Sequence, residues 1–147
     1  MRWLDYPPVW LFGFLGLAWA QAVLIPTPWG GDWAAPVGAG IALAGGALML
    51  AALPPFLRQR TTIVPHRAPS ALITSGIYRL SRNPIYLGDL LILAGLAIRW
   101  QAFAALLLVP VFMAVLTSRF IRPEEARLRA GFGPEFDAWT ARTRRWI

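Results

Sequence analysis

Residues 76–88 read Gly-Ile-Tyr-Arg-Leu-Ser-Arg-Asn-Pro-Ile-Tyr-Leu-Gly, and they set Arg82, Asn83 and two tyrosines directly against the start of a membrane-length apolar run. Polar, fork-shaped and aromatic groups at that depth point to a ligand site. Asn83 is placed to cap a helix whose first residue is Pro84, and the free N–H groups at such an end carry partial positive charge suited to an anion.

Outward from this stretch the chain is built for lipid. Of its 147 residues 57% are hydrophobic and only 14% are charged, and the mean hydropathy is +0.53. That balance describes an integral membrane protein and not a soluble core. Four apolar runs stand out, at about 8–25, 34–57, 84–98 and 103–120. The third is short for a hydrocarbon core that needs about twenty helical residues, so the last two are expected to form a shallow hairpin. The first run lacks a basic lead-in and a small-residue cleavage site, which fits a retained span better than a signal peptide. The expected fold is all-α, a four-helix membrane bundle in one domain, with a loop and short C-terminal helices (121–147) at one membrane face. Cysteine is absent, which excludes thiolate metal sites and a cysteine nucleophile. The single histidine, His66, cannot form a metal cluster.

All fourteen basic residues are arginine, five between Arg58 and Arg82 and seven between Arg119 and Arg145. The positive-inside rule assigns both segments, and with them both termini, to the cytosol; a bacterial inner membrane is the expected location. The opposite face keeps the turns 27–33 and 99–101, flanked by Trp29, Trp33 and Trp100 as interfacial anchors, with Arg99 the exception to the charge rule. In the second span Gly38, Ala42 and Gly46 recur every fourth residue and predict close helix approach. Pro54 and Pro55 are expected to bend or end that helix, and Pro110 to kink the fourth. After Phe120 the chain is expected to leave the membrane, with one short helix from Pro123 to the Gly131-Phe132-Gly133 break and another from Pro134. That last piece mixes Phe136, Trp139 and Trp146 with Arg142, Arg144 and Arg145, as expected of a segment on an anionic surface.

Two segments far apart in sequence therefore hold most of the reactive side chains, and a compact bundle brings them to one face. They are TTIVPHRAPSALITSGIYRLSRNPIY (61–86) and RFIRPEEARLRAGFGPEF (119–136). Gly-x-Tyr, Arg-Asn-Pro-x-Tyr-x-Gly, Glu-Glu-x-x-Leu and Phe-Gly-x-x-Phe follow in that order, separated by one hairpin. In these elements, over about residues 61–147, the chain resembles the isoprenylcysteine carboxyl methyltransferase and phospholipid methyltransferase superfamily. The resemblance implies S-adenosylmethionine as cofactor, with S-adenosylhomocysteine as product, bound between the loop before the third span and the C-terminal segment. It implies that Ser70, Ala71, Leu72, Ile73, Tyr78, Arg82, Asn83, Pro84 and Tyr86 line the cofactor, with His66 beside them. Glu124 or Glu125 then holds its amino or ribose groups, while Arg119 and Arg122 join Asn83 nearer the acceptor. Asn83 stands where many relatives have histidine, and a carboxamide takes up no proton at neutral pH.

These residue types suit such a donor. Arginine forks grip a carboxylate, glutamate accepts from ammonium or ribose, tyrosine faces attract a sulfonium, and the apolar Leu72-Ile73 pair can sandwich adenine. Each also has a plainer role. Glu124 and Glu125 favour a helix start, Glu125 is spaced to pair with Arg129, and Arg79 and Arg82 can meet lipid phosphates. Asp89, just inside the third span, is costly there unless paired or wet, and is either a neighbour of Arg82 or a pocket residue.

The implied partners are the bilayer and an amphiphilic acceptor, an isoprenylcysteine-like carboxylate or a phospholipid amine. Sterol reductases resemble the same C-terminal region and use a nicotinamide cofactor, but they usually have several more spans, and no Gly-x-Gly-x-x-Gly follows a strand here. A proton-coupled transporter would need an acid deep in the first two spans, where there is none beyond Asp5 near the start. The net charge of +7 follows membrane topology and not a soluble patch, which argues against a nucleic-acid partner.

Overall fold

The computed structural model describes residues 6–27, 29–59 and 71–147. Helix α1 spans Pro7–Leu24, α2 Gly31–Gln59, α3 Pro84–Arg99, α4 Leu108–Leu116, α5 Arg122–Phe132 and α6 Pro134–Arg142. Among the described residues there is no strand, as the all-α expectation requires.

Three helical rods are long and apolar enough to cross a membrane: Pro7–Leu24, Gly31–Arg58 and Ala104–Phe132. At 16 residues α3 is about 24 Å long, short of a hydrocarbon core of about 30 Å. It is nevertheless the centre of the packing, touching α1, α2 and α4. Its side chains Leu90, Leu93 and Ala97 join Leu11, Phe14 and Ala18 of α1 and Phe112 and Leu116 of α4 in one buried cluster. The α1 residues lie on one stripe at i, i+3 or i+4 spacing. The rings of Phe14 and Phe112 meet at 4.7 Å.

The α2–α3 seam is made by small residues. Gly38, Ala42 and Gly45 of α2 meet Gly88 and Gly95 of α3, and a methyl group on any of the four glycines would run into the facing helix. Without apolar burial to drive association in lipid, such close backbone approach is what holds two helices together. The expected stripe is corrected at its last member: the space beside Gly46 is open, and Gly45 takes its place. At 3.6 residues per turn a straight i+4 series drifts off the face, and a step of three restores it.

The helix ends expected at proline also change. α2 does not end at Pro54 and Pro55 but continues to Gln59, each proline giving up its own ladder bond and crowding the carbonyl four residues back. Pro110 lies in the first turn of α4, just after the 3₁₀ turn Ala104–Leu107. The fourth rod does not end at Phe120. It runs on through a single π-helical turn, Thr117–Ile121, into α5. The wider turn falls just before Pro123, where an α-helical ladder would have lost a donor. The break after α5 is as expected, with Gly133 at φ +47° donating to the Arg129 carbonyl at 2.9 Å.

The two ends of the bundle differ in chemistry. At one, the Trp29 N–H donates to the Gln101 side chain at 3.2 Å and the Trp29 ring meets Trp33 and Phe103. Arg99, the sequence's exception, donates from Nη1 to the Ala35 carbonyl at 3.2 Å. The turns 27–33 and 99–101 thus share an end. The other end carries the arginine-rich segments.

Candidate functional site

At the arginine-rich end the chain from Gly76 to Asn83 crosses the bundle as a 3₁₀ turn, Gly76–Arg79, followed by an irregular link into α3. α5 approaches it from one side and the C-terminal residues 143–146 from another. Their meeting point is Glu125. Its Oε1 accepts from Arg82 Nη1 at 2.9 Å and from Arg145 Nε at 3.0 Å, while its Oε2 accepts from Arg145 Nη2 at 2.6 Å. Arg145 therefore holds the carboxylate with both prongs of its fork, the geometry that makes arginine–carboxylate pairs strong. The side chains of Arg82 and Glu125 are each only 15% exposed.

Backbone bonds lace the tail to the same link. The Arg82 N–H donates to the Arg144 carbonyl at 3.0 Å, and Asn83 Nδ2 donates to the Arg145 carbonyl at 3.0 Å. Asn83 is thereby drawn away from the capping role expected of it and makes no side-chain cap on α3. Ser81 Oγ supplies the turn instead, accepting from the Asn83 N–H at 3.1 Å. Glu125 likewise does not pair with Arg129, which bonds Asp137 of α6 at 2.9 Å. Two guanidiniums from distant parts of the chain outcompete the one a turn away.

Glu124, on the adjoining face, has different company. Tyr86 shares a side-chain hydrogen bond with it, and its charge is felt by Tyr78. Tyr78 is 5% exposed and packs edge-on to Phe56 at 5.6 Å. Burial, followed by the Glu124 carboxylate, pushes its phenol well above the ordinary tyrosine range. Among the described residues its hydroxyl has no hydrogen-bond partner, and neither does Arg82 Nε. The Arg82 guanidinium is held below its ordinary value, by desolvation first, with Glu125 opposing that fall. Arg145 is raised, chiefly by its hydrogen bond to Glu125.

Beneath these groups lies a second apolar cluster of Ala52, Leu72, Ile73, Tyr78, Phe136 and Trp139. Trp139 Nε1 donates to the Tyr78 carbonyl at 3.2 Å, tying α6 to the 3₁₀ turn.

Over residues 34–135, well over half its length, the sequence matches the phospholipid methyltransferase family. The chain belongs to that family. It is also 29% identical over 120 residues to a protein of Cupriavidus metallidurans named Cobalt-zinc-cadmium resistance protein CzcN, an alignment covering 78% of this chain and 51% of the relative. The chain thus spans about half the length of that relative. No solved structure matches it.

Of the residues singled out in this phospholipid methyltransferase family member, Tyr78, Arg82, Asn83, Pro84, Tyr86, Glu124 and Glu125 are gathered at one end of the bundle. Leu72 and Ile73 form its buried floor, with Ala71 half-buried just before them. His66 and Ser70 lie outside the described residues. Arg119 stacks over Trp10 of α1 at 5.0 Å, and Arg122 is exposed on the outer side of the rod beside Trp146. Asp89 is buried within reach of Tyr86. The sequence reading missed Arg145. It looked like one of several interfacial arginines, and its only signal was that it falls in the second arginine-rich segment.

Proposed function

We propose that this chain is a membrane methyltransferase of a single domain that takes S-adenosylmethionine from the cytosol and transfers its methyl group to an amphiphilic acceptor from the bilayer. Family membership gives the reaction class. The observation that carries the site is a buried Tyr78 hydroxyl, without a hydrogen-bond partner among the described residues, set within the field of the Glu124 carboxylate at the arginine-rich end. By the positive-inside rule that end faces the cytosol of an inner membrane, with both termini.

The side chains present fit the donor's groups. Glu124 is the acceptor for its ammonium or ribose hydroxyls, and the free Arg82 Nε is a donor for its carboxylate. Tyr78 and Tyr86 offer ring faces to a sulfonium and hydroxyls to the ribose. Glu125, already gripped by two arginines, serves to close the site and not to touch the cofactor. The cofactor supplies an electrophilic methyl group on a sulfonium, and S-adenosylhomocysteine remains after transfer. Its methyl is already activated, so the protein's task is alignment and exclusion of water, with proton removal needed only for an amine acceptor.

Calorimetric titration of the purified protein with S-adenosylhomocysteine should release or absorb heat of binding, and titration with reduced nicotinamide cofactor should not; the reverse assigns the chain to reductase chemistry. Glu124→Gln and Tyr86→Ala should each weaken S-adenosylhomocysteine binding about tenfold, or about 1.4 kcal/mol. Unchanged affinity in both removes the site from this position. Mass spectrometry of lipid extracts incubated with labelled methyl donor would identify the acceptor.

A further inference from the structure

The outer face of the fourth rod carries a feature the methyl-transfer reading does not use. An open groove of about 610 Å³ runs along it from Pro110 and Ala114, past Thr117 and Ser118, to Arg122 and Trp146. Its volume is within the range of small-ligand sites, about 300–1,000 Å³. From Pro110 to Arg122 the rod rises about 18 Å, close to the thickness of one leaflet's hydrocarbon, about 15 Å.

The chemistry changes in order along that length. The deep end is apolar, through Pro110 and Ala114. Two hydroxyls follow, and the groove ends on a guanidinium beside an indole, the pair that marks a membrane–water interface. Thr117 and Ser118 donate their hydroxyl protons to the Met113 and Val115 carbonyls, so their oxygens present lone pairs outward. Acyl chain and phosphate follow the same apolar-to-cationic order in a phospholipid, while the two hydroxyls, their protons already given to carbonyls, make no hydrogen bond to the ester between them.

Charge selects the headgroup. Arg82, Arg129 and Arg145 are committed to carboxylates, but Arg122 makes no ion pair among the described residues. Arg119 and Arg144 are exposed at the same end. A zwitterionic headgroup would bring an ammonium up to these cations; an acidic, amine-free one would not.

We propose that this groove binds one acyl chain of an acidic phospholipid, with the phosphate held by Arg122. An amine-free acidic lipid such as phosphatidylglycerol offers no nitrogen to methylate, so it is a bound companion of the enzyme and not an amine acceptor. Trp146, the groove's rim, follows Arg145 directly. The lipid therefore braces the tail that closes over Glu125.

Fluorescence quenching of the full-length protein in nanodiscs tests this independently of any methyl transfer. The contribution of Trp146 is the difference between wild type and Trp146→Phe, measured with phosphatidylglycerol or phosphatidylcholine brominated near the ester end. Phosphatidylglycerol should quench it at least threefold more at equal bilayer fraction. Arg122→Gln should bring that ratio to one, and Ala114→Phe, which fills the groove, should lower quenching by both lipids. Inorganic phosphate should not relieve it. A wild-type ratio of one, a ratio indifferent to Arg122→Gln, or relief by inorganic phosphate would each overturn the proposal. The comparison of the two lipids needs only wild type and Trp146→Phe, so it stands even if Arg122→Gln or Ala114→Phe fails to fold.

Discussion

The α2–α3 seam and the Glu125 knot both join distant parts of the chain, and they do so by opposite means. Apart from the Arg99–Ala35 bond at its end, the seam rests on shape: two helices touch because four glycines leave nothing in the way. The knot rests on charge, drawing Arg82, Glu125 and Arg145 from three separate segments into one network. In lipid, shape alone can hold helices together, since hydrocarbon competes poorly for a close backbone contact. At the membrane edge water competes for every charge, so a pairing there contributes most when it is bidentate and largely dry, as between Arg145 and Glu125, and little when it is exposed, as between Arg129 and Asp137. Position in the bilayer thus decides which device is available.

The seam is where the comparison breaks hardest. At Gly95 an added side chain would meet the Ala42 backbone and the Gly38 carbonyl, groups that cannot rotate away. Gly95→Leu should cost at least about 3 kcal/mol and abolish a cooperative unfolding transition in detergent. Gly46→Ala, facing open space, should be neutral or slightly stabilising through its better helix propensity. Equal behaviour of the two would mean that the helices do not meet on this face.

The knot should yield less. Glu125→Gln leaves two guanidiniums facing a neutral amide in a mostly buried setting, and should cost about 2–3 kcal/mol. The loss should release the tail, read as faster hydrogen exchange at the Arg82 amide and at residues 143–146. If thermal stability falls but exchange there does not change, the ion pairs stabilise the bundle without fastening the tail.

The seam was nearly legible in the sequence, and the knot was not. Small residues at helical spacing announce a close approach, and only the register of one glycine was misplaced, because a 3.6-residue turn cannot be read to the residue. The apolar runs, the Gly133 break and the convergence of 71–86 with 119–136 follow from patterns of period and charge that act locally. Partner choice among charges does not. Glu125 had Arg129 at ideal spacing, and it took Arg82 and Arg145 only because folding delivered them in a drier place. Asn83 gave up its cap for the same reason, since a carbonyl of the tail came within reach of its amide. The helix past Phe120 was hidden because Pro123 reads as a start signal, and a single π turn accommodates it instead.

Tyr78 lies between these extremes, a polar group set in an apolar cluster, and it gives the smallest and most specific prediction. Its hydroxyl is buried without a partner among the described residues, so Tyr78→Phe should leave stability unchanged or slightly raised at neutral pH. The difference should emerge in alkali. Below the ordinary value of 10.0 the phenol is neutral in both folded and unfolded chains and contributes no pH dependence. Above it the unfolded chain loses the proton while the folded one, whose phenol is raised, keeps it; stability therefore falls by up to about 1.4 kcal/mol for each further pH unit until the folded value is passed. Wild type should lose stability between pH 10 and 11 by about 1 kcal/mol more than Tyr78→Phe, measured by thermal unfolding in nanodiscs. Parallel curves would mean that the hydroxyl reaches water, and a marked loss at neutral pH would mean that it has a partner. If the hydroxyl is kept for the cofactor, the same variant should bind S-adenosylhomocysteine more weakly while folding as well as the parent, a combination that a merely structural tyrosine would not produce.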